Sequence, residues 1–162
     1  MLAWDVDAPG LVLSILQAQA LSEGEICAVG AFIKDAQGRV FVQKRAANRS
    51  LFSACWDIVG GHVEAGETLV RALAREVTEE TGWQLARVVI LLGTVDWEAQ
   101  GIARREFDFS VEVRGDLQSP VLERAKVSEH RWLSLGQLGV LKENRPADDL
   151  AIFHLVRKAL VR

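Results

Sequence analysis

Three glutamates near the middle of the chain have a spacing that suits metal chemistry. Glu76, Glu79 and Glu80 stand at positions i, i+3 and i+4, which places their carboxylates along one side of a helix within a single turn. Like charges at this spacing repel each other, and acids near a helix C-terminus also oppose the helix dipole. The cluster therefore needs a compensating positive charge.

The apolar residues of the same helix predict that part of the acidic cluster is buried. Val70, Leu73 and Val77 form a row whose spacing continues to Glu80. We therefore expect at least one carboxylate to face the protein body. Burial of an unpaired carboxylate is unfavourable unless the group is protonated, paired or bound to a cation.

Two sources of compensation are open. One is a solvated acidic face with an internal salt bridge to Arg71 or Arg75. The other is a divalent cation, and ligation by oxygen atoms alone suits Mg²⁺, or Mn²⁺, better than zinc or copper. Magnesium would in turn indicate a phosphate-bearing substrate. Gly60 and Gly61 precede the helix and permit close backbone approach, which makes the Gly60 carbonyl a further candidate ligand.

The hydrophobic pattern predicts the elements that position these residues. The region 67–81 is predicted to be a helix that ends at Gly82 in a left-handed C-cap. Strands are predicted at 25–34, 39–44, 56–59, 87–97, 105–114 and 129–133, the first two as a hairpin and 105–114 as half-buried. Residues 10–21 are either a helix or an edge strand, 135–140 a helical turn, and 148–160 a helix with Asp148 as N-cap. This order predicts an α/β/α sandwich with a mixed sheet.

Length and composition indicate one soluble domain, 1–162. The net charge of -3 and the absence of a Lys or Arg run argue against a long nucleic acid as partner. No apolar run approaches the length of a membrane span, so we expect a cytoplasmic protein. Cys27 and Cys55 lie in apolar surroundings without CxxC spacing and are expected to be reduced, structural thiols. The oligomeric state stays open, with a homodimer as one option.

Residues 61–83 together resemble the Nudix box. That family's pattern is Gly, five residues, Glu, seven residues, Arg-Glu, a bulky apolar residue, any residue, Glu-Glu, any residue, Gly and a bulky apolar residue. The corresponding positions here are Gly61, Glu67, Arg75, Glu76, Val77, Glu79, Glu80, Gly82 and Trp83. Chance agreement at the seven fixed positions is negligible, and the one mild departure is Trp83, where an aliphatic residue is commoner.

The resemblance implies a Nudix-type sandwich with a catalytic loop-helix-loop, preceded by an N-terminal extension at 1–24. In such a loop, magnesium is bound by Glu76, Glu79, Glu80 and the Gly60 carbonyl. Glu67 and Arg75 are similar to the pair that braces the loop, with Arg75 orienting the catalytic carboxylates.

The activity that the resemblance implies is magnesium-dependent cleavage of a diphosphate linkage in a small nucleotide-like substrate. A carboxylate would take the proton from the attacking water. Glu79 or Glu76 is the first candidate for this base. Some relatives recruit a later glutamate instead, and Glu98, Glu106 and Glu129 are available here.

In the family, certain residues after the box accompany particular substrates, and these residues are missing here. Relatives acting on ADP-ribose tend to have a proline about fifteen residues on, and those acting on diadenosine polyphosphates a tyrosine slightly later. The stretch 98–101 has neither, and the chain contains no Tyr. Nucleoside and deoxynucleoside triphosphates, including oxidised forms, therefore become the leading substrate class. ADP-ribose or another nucleotide sugar is the alternative.

Several residues outside the acidic cluster are candidates for substrate binding. Lys44 and Arg45 end a strand that should run towards the Gly-Gly turn, where Gly61 is a further candidate. Trp97 could stack on a base and Arg105 could bind phosphate, although core packing for the aromatic residue and a solvated turn for the arginine are the favoured explanations. In the same way, Phe107 and Trp132 could stack on a base or pack in the core, and Arg104 could bind phosphate or lie in a solvated turn.

Two other functions are compatible with parts of the pattern. The segments 42–45, 56–57 and 61–62 also resemble isopentenyl-diphosphate isomerase, but that enzyme needs a cysteine where this chain has Gly60, and Cys55 lies too early. Non-catalytic Nudix ligand sensors commonly lose box glutamates and carry a DNA-binding domain. Neither applies here, so a hydrolase is expected.

Overall fold

Three α-helices, seven strands and a 3-10 helix make up residues 7–162, the part of the chain that the computed structural model describes. The helices are α1 (Asp7–Ser22), α2 (Leu69–Thr81) and α3 (Ala151–Leu160), with the 3-10 helix at Leu135–Lys142. The strands are β1 (Ile26–Ile33), β2 (Val40–Arg45), β3 (Trp56–Asp57), β4 (Val59–His62), β5 (Gln84–Ala99), β6 (Ile102–Arg114) and β7 (Val127–Leu133). The open alternative at 10–21 is thus settled as a helix.

The strands form two sheets. The four-stranded sheet has the order β4-β1-β6-β5, in which β1 runs parallel to β6 and the other neighbours are antiparallel. The second sheet, β3-β2-β7, is antiparallel. The prediction of an α/β fold with a mixed sheet is confirmed. The predicted hairpin forms only at its turn, where Lys34 and Val40 make an antiparallel bridge and the Asp35 N–H donates to the Arg39 carbonyl. Beyond this bridge β1 and β2 do not pair, because each joins its own sheet.

Helices cover both faces of the four-stranded sheet. One apolar cluster joins α1 and α2 to β1, β5 and β6, and its fully buried members include Leu73, Val77 and Phe109. The other cluster joins β1, β2 and β5 to α3, around Phe32 and Trp56. Among residues 7–162, none of the helices has both the length and the apolar character required to cross a membrane.

Helix α2 has well-defined ends. The Thr68 hydroxyl accepts a hydrogen bond from the Arg71 N–H, which caps the N-terminus. Gly82 ends the helix with a φ of 77° and donates its N–H to the Thr78 carbonyl, as the C-cap prediction required. Both ends of the acidic helix are therefore specified locally, by residues next to the box glutamates.

The buried side of α2 is rotated from the predicted one. Leu69, Leu73 and Val77 are buried, whereas Val70 is 37% exposed. Leu69 belongs to this face because i and i+4 neighbours in a helix lie one above the other. The predicted row from Val70 is therefore wrong at its first member.

The C-terminal helix and β6 also differ from expectation. Helix α3 begins at Ala151 with Leu150 as N-cap, so Asp148, which is exposed, does not cap it. Strand β6 is buried on both faces: Phe107 and Phe109 lie on one, while Arg104 and Asp108 on the other are 3% and 0% exposed. The alternation predicted a half-buried strand, but β6 is central in its sheet and has a layer on either side.

The rotation of α2 predicts unequal effects for two neighbouring substitutions. Leu73→Ala removes fully buried methyl groups and should lower the free energy of unfolding by about 2–5 kcal/mol. Val70→Ala changes an exposed position and should alter it by less than about 0.5 kcal/mol. Urea unfolding of both variants measures the difference, and equal losses would contradict the placement of the buried face.

Candidate active site

A cavity of about 680 Å³ lies beside the acidic helix. Residues from β2, β4, β5, β6, the 46–55 loop and the start of α3 line it. The box contributes the side chains of Glu76, Glu79 and Glu80, and the turn contributes Gly60 and Gly61. The structure therefore brings together the acidic cluster and the Gly-Gly turn that the sequence pointed to.

Arg75 connects the loop before α2 to the helix itself. Its Nε donates to Glu67 Oε2 at 2.8 Å, and its Nη2 donates to Glu67 Oε1 at 2.9 Å. Nη2 also donates to the His62 carbonyl at 3.0 Å. The hydrogen bonds from Arg75, with one from the Glu64 N–H, lower the pKa of Glu67 to about 2. This two-pronged pair fixes the loop against the helix.

The same guanidinium reaches two of the three acidic side chains. Arg75 Nη1 donates to Glu76 Oε1 at 2.8 Å and to Glu79 Oε2 at 3.4 Å. Glu76 is 13% exposed and burial raises its pKa, whereas Glu79 is 51% exposed. A Cβ at Gly61 would overlap the Glu76 carboxyl group. Glycine at this position therefore leaves the room that the carboxyl group occupies.

Glu80 is the most deeply placed of the three acids. Its Oε1 accepts the Gly60 N–H at 2.7 Å, and its Oε2 accepts Gln43 Nε2 at 2.9 Å. Burial raises the pKa of Glu80 to about 8 in spite of these hydrogen bonds. The expectation of a carboxylate facing the protein body is met by Glu80. Sequence reasoning missed Gln43, because it is the first of three consecutive polar residues at the end of β2 and nothing local distinguishes it from Lys44 and Arg45.

The donor set of the cluster fits a hard divalent cation. The available ligands are carboxylate oxygens, and burial leaves Glu80 in need of a proton or a positive charge. Within residues 7–162, no three acidic, His or Cys side chains are grouped as a metal-binding set. The oxygens of Glu76, Glu79 and Glu80 accept hydrogen bonds from Arg75, Gln43 and the Gly60 N–H instead.

The candidate substrate-binding residues separate into two groups. Arg45, Gly61 and Trp97 are among the residues that line the cavity. Lys44 is not, and its ammonium group lies 5.9 Å from the centre of the Trp56 ring. Neighbouring residues of a strand point to opposite faces. Arg45 therefore reaches the cavity and Lys44 does not.

The neighbours Arg104 and Arg105 are separated in the same way. Arg105 lies outside the cavity and pairs with Asp96 and Glu25, each at 2.8 Å. Arg104 is buried and donates its Nε to His62 Nε2 at 2.9 Å, with its guanidinium 4.6 Å from the Trp97 ring centre. The structure thus assigns Arg105 to a surface ion-pair network and Arg104 to the support of the cavity wall.

The later glutamates are also divided by the fold. Glu98 and Glu106 line the cavity. Glu129 does not, since it lies on β7 opposite Lys44, with its side chain 50% exposed beside Arg131. Of the three alternative bases, only Glu98 and Glu106 are in the cavity.

An ion-pair network was not predicted from the sequence in the part of the cavity lined by Asp57, Arg145 and Asp149, which we call its inner end. Arg145 is 4% exposed and donates to Asp149 Oδ2 at 3.0 Å and to the Trp56 carbonyl at 2.9 Å. Asp57 Oδ2 lies 3.7 Å from its Nη2. These residues come from distant segments and have no motif spacing, so nothing in the sequence identified them.

The two cysteines are buried and free, as predicted. Cys55 donates its thiol to the Asn144 carbonyl at 3.2 Å and does not line the cavity. Burial raises the pKa of both thiols. Neither cysteine therefore offers a reactive thiolate to a substrate in the cavity.

The Arg75–Glu67 pair predicts a pH-dependent loss of stability in Glu67→Gln. Because the folded-state pKa of Glu67 is depressed to about 2 from 4.5, the carboxylate stabilises the fold above about pH 4.5 and less as the pH falls towards 2. Glu67→Gln should be less stable than wild type at pH 7, with the gap narrowing below pH 4.5 in urea unfolding. Glu112→Gln, at an exposed site on β6, is the control; a gap unchanged with pH would contradict the prediction.

Comparison with known proteins places this architecture in a family. A family model described as the NUDIX domain matches residues 26–155. An uncharacterized Nudix hydrolase of Nostoc is 39% identical over 61 residues, 37% of this chain and 36% of that protein. Isopentenyl-diphosphate Delta-isomerase 2 of Photorhabdus laumondii is 25% identical over 125 residues, 71% of this chain and 66% of that enzyme. The chain thus spans about a third of the first relative and just under two thirds of the second.

Solved structures agree with the family match. The crystal structure of a MutT protein from Methanosarcina mazei superposes with a TM-score of 0.68 at 28% identity, covering 82% of this chain and 92% of that one. The matched residues 26–155 contain the whole box, both sheets and all of the residues that line the cavity. The chain therefore belongs to the Nudix family.

Proposed function

We propose that this protein is a magnesium-dependent pyrophosphohydrolase that cleaves a diphosphate linkage in a small nucleotide-like substrate. The observation that supports it is the convergence of Glu76, Glu79 and Glu80 on one wall of the cavity, beside the Gly60-Gly61 turn. Nudix hydrolases generally use a divalent metal, and the all-oxygen donor set here fits Mg²⁺, with Mn²⁺ as a substitute.

The residues that would hold the cation are Glu76, Glu79, Glu80 and the Gly60 carbonyl. When bound, magnesium would neutralise diphosphate oxygens and make an attacking water more acidic. Glu80 gains most from a nearby cation, because burial raises its pKa to about 8. Arg75, held by Glu67, keeps the carboxylates of Glu76 and Glu79 oriented towards the cavity.

Glu79 is the base that we favour for the attacking water. It is the most exposed of the three acids, and among residues 7–162 it has only one long hydrogen bond, 3.4 Å, to Arg75. Glu76 has a shorter bond and is less exposed, so its carboxylate is less free to accept a proton. Glu98 and Glu106, which line the same cavity, are the alternatives.

The leading substrate class is nucleoside or deoxynucleoside triphosphates, including oxidised forms. The cavity is large enough for a nucleotide, with Arg45 near the phosphates and Trp97 available to a base. ADP-ribose or another nucleotide sugar is the second candidate. Isomerase activity is not proposed, since Gly60 occupies the place of the required cysteine and Cys55 is buried outside the cavity.

Removal of a cluster carboxylate should abolish the reaction. Glu79→Gln and Glu80→Gln should each reduce magnesium-dependent hydrolysis by about 100-fold or more, because a ligand or the base is lost. Phosphate release from a triphosphate panel, with and without added magnesium, measures the effect.

The matched control for these variants is Glu129→Gln, which changes a glutamate outside the cavity and should retain wild-type turnover. Full activity in both Glu79→Gln and Glu80→Gln would refute the metal assignment. A panel of NTPs, dNTPs, oxidised nucleotides, ADP-ribose, NADH and isopentenyl diphosphate then identifies the substrate, and oxygen-18 water locates the attacked phosphorus.

Two adjacent residues of β2 should behave differently towards substrate. Arg45→Ala removes a positive charge from the cavity lining and should raise KM by about tenfold, the worth of one charge-assisted hydrogen bond. Lys44→Ala removes a charge that lies over the Trp56 ring and not in the cavity. The KM of this variant should therefore stay within about twofold of the wild-type value, as for a substitution that touches no substrate. Steady-state kinetics on the best panel substrate decide; a larger effect at Lys44 would contradict the assignment.

A further inference from the structure

Two carboxyl groups meet at the inner end of the cavity, on the face of β6 that looks away from α2. Glu106 pairs in register with Ala28 of β1, and Asp108 pairs with Gly30. Residues two apart on a strand share a face, so both carboxyl groups project to the same side. Glu106 lines the cavity, and Asp108 lies behind it with 0% of its surface exposed.

Gly30 provides the space in which these carboxyl groups meet. A Cβ at this position would overlap Asp108 Oδ1 and would lie 3.2 Å from Glu106 Oε1. Both oxygens therefore point to the same spot above the Gly30 backbone. Any side chain at position 30 would force the two groups apart.

Asp108 has no donor among the residues that the structure describes, since neither Oδ1 nor Oδ2 accepts a hydrogen bond from them. Two carboxylates this close and this deeply buried cannot both be ionised without a large energetic penalty. Burial, together with the neighbouring charge of Glu106, raises the pKa of Asp108 well above its usual range. A single proton shared by the two carboxyl groups removes that penalty, and the complete burial of Asp108 places this proton on Asp108, on the side that faces Glu106.

Glu106 consequently faces the cavity as an acceptor. Burial raises the pKa of Glu106, and the hydrogen bonds with Asp108 and with the Trp97 side chain oppose that rise. Arg145 is the nearby cation, and it is already shared between Asp57 and Asp149. The negative charge at this end thus lacks a dedicated partner and favours a ligand that brings hydrogen-bond donors.

The walls around Glu106 suit a flat ring. Trp97 and Phe52 both line the cavity, and their rings meet edge to face with centres 5.4 Å apart. Ile58 and Ile152 add apolar surface. A carboxylate in such surroundings pairs best with two adjacent N–H groups, which a guanine-type edge presents and an adenine-type edge does not.

We propose that Glu106, positioned by Asp108 over Gly30, is a specificity-determining residue that selects a nitrogen heterocycle carrying adjacent N–H donors, as in a guanine-type base. The proposal rests on the proposed function for the nucleotide nature of the substrate. The phosphates would then lie at the outer end of the cavity, which is lined by α2 and the Gly60-Gly61 turn, and the base would lie at the inner end, beside Glu106.

The test is a binding series with GMP, IMP and AMP, measured calorimetrically in EDTA. These three ligands share the ribose and phosphate and differ at the base edge, since IMP lacks the amino group and AMP presents an acceptor. Wild type should bind GMP at least about tenfold more tightly than AMP, the effect of one hydrogen bond to a charged group, with IMP in between. Equal affinities would overturn the proposal, and this comparison needs no variant.

Two substitutions sharpen the test. Glu106→Gln can donate to an adenine ring nitrogen and accept from its amino group, so the preference for GMP over AMP should vanish or reverse. Asp108→Asn still donates to Glu106 and should keep the preference. Glu112→Gln, at an exposed site on the same strand, is the matched control and should bind as wild type does. A GMP preference that survives in a folded Glu106→Gln would overturn the proposal.

The measurement also separates this proposal from the proposed hydrolysis. The binding series involves neither a divalent ion nor a diphosphate. If the wild-type protein hydrolyses a diphosphate substrate but binds GMP and AMP equally, only the role of Glu106 is refuted. Conversely, retained discrimination in a protein without pyrophosphohydrolase activity would remove only the reaction.

Discussion

The site depends on the position of one guanidinium group, that of Arg75. It is 23% exposed and takes part in hydrogen bonds to Glu67, Glu76, Glu79 and the His62 carbonyl. Through these contacts it ties the end of β4 and the following loop to α2, and it offsets part of the mutual repulsion of the acids. An arginine suits this position because its planar group can serve several acceptors at once. Without it, the loop and the carboxylates of Glu76 and Glu79 would lose the hydrogen bonds that orient them.

The cavity has two chemically different ends, because different segments of the chain line each of them. The outer end belongs to α2 and the Gly-Gly turn, and it is acidic and partly exposed. At the inner end, Trp97, Phe52, Asp57 and Glu106 come from four separate segments. Each end contains an acid whose pKa is raised by burial, Glu80 at one and Asp108 at the other. The two acids differ in their partners: Glu80 accepts two hydrogen bonds, whereas Asp108 accepts none from the part of the chain that the structure describes.

Backbone proximity also shapes both ends. At the outer end, Gly61 leaves room for the Glu76 carboxyl group, and at the inner end Gly30 leaves room for Asp108. In each case a buried acid occupies the volume that a side chain would otherwise fill. The glycines thus act by close approach, and a strand position without a Cβ is what lets a charged group lie against the sheet.

The sequence by itself determined the elements whose causes are local. The sequence predicted that the box glutamates lie on one side of a helix and that this helix ends at Gly82, because helix periodicity and capping depend on near neighbours. The strands around the helix could be predicted from local patterns in the same way. Tertiary structure alone decided that β1 and β2 enter different sheets, that Arg45 rather than Lys44 reaches the cavity, and that both faces of β6 are buried. It also decided the meeting of Asp57 with Arg145. These outcomes depend on which segments, far apart in the chain, pack against each other, and a local pattern carries no information about that choice.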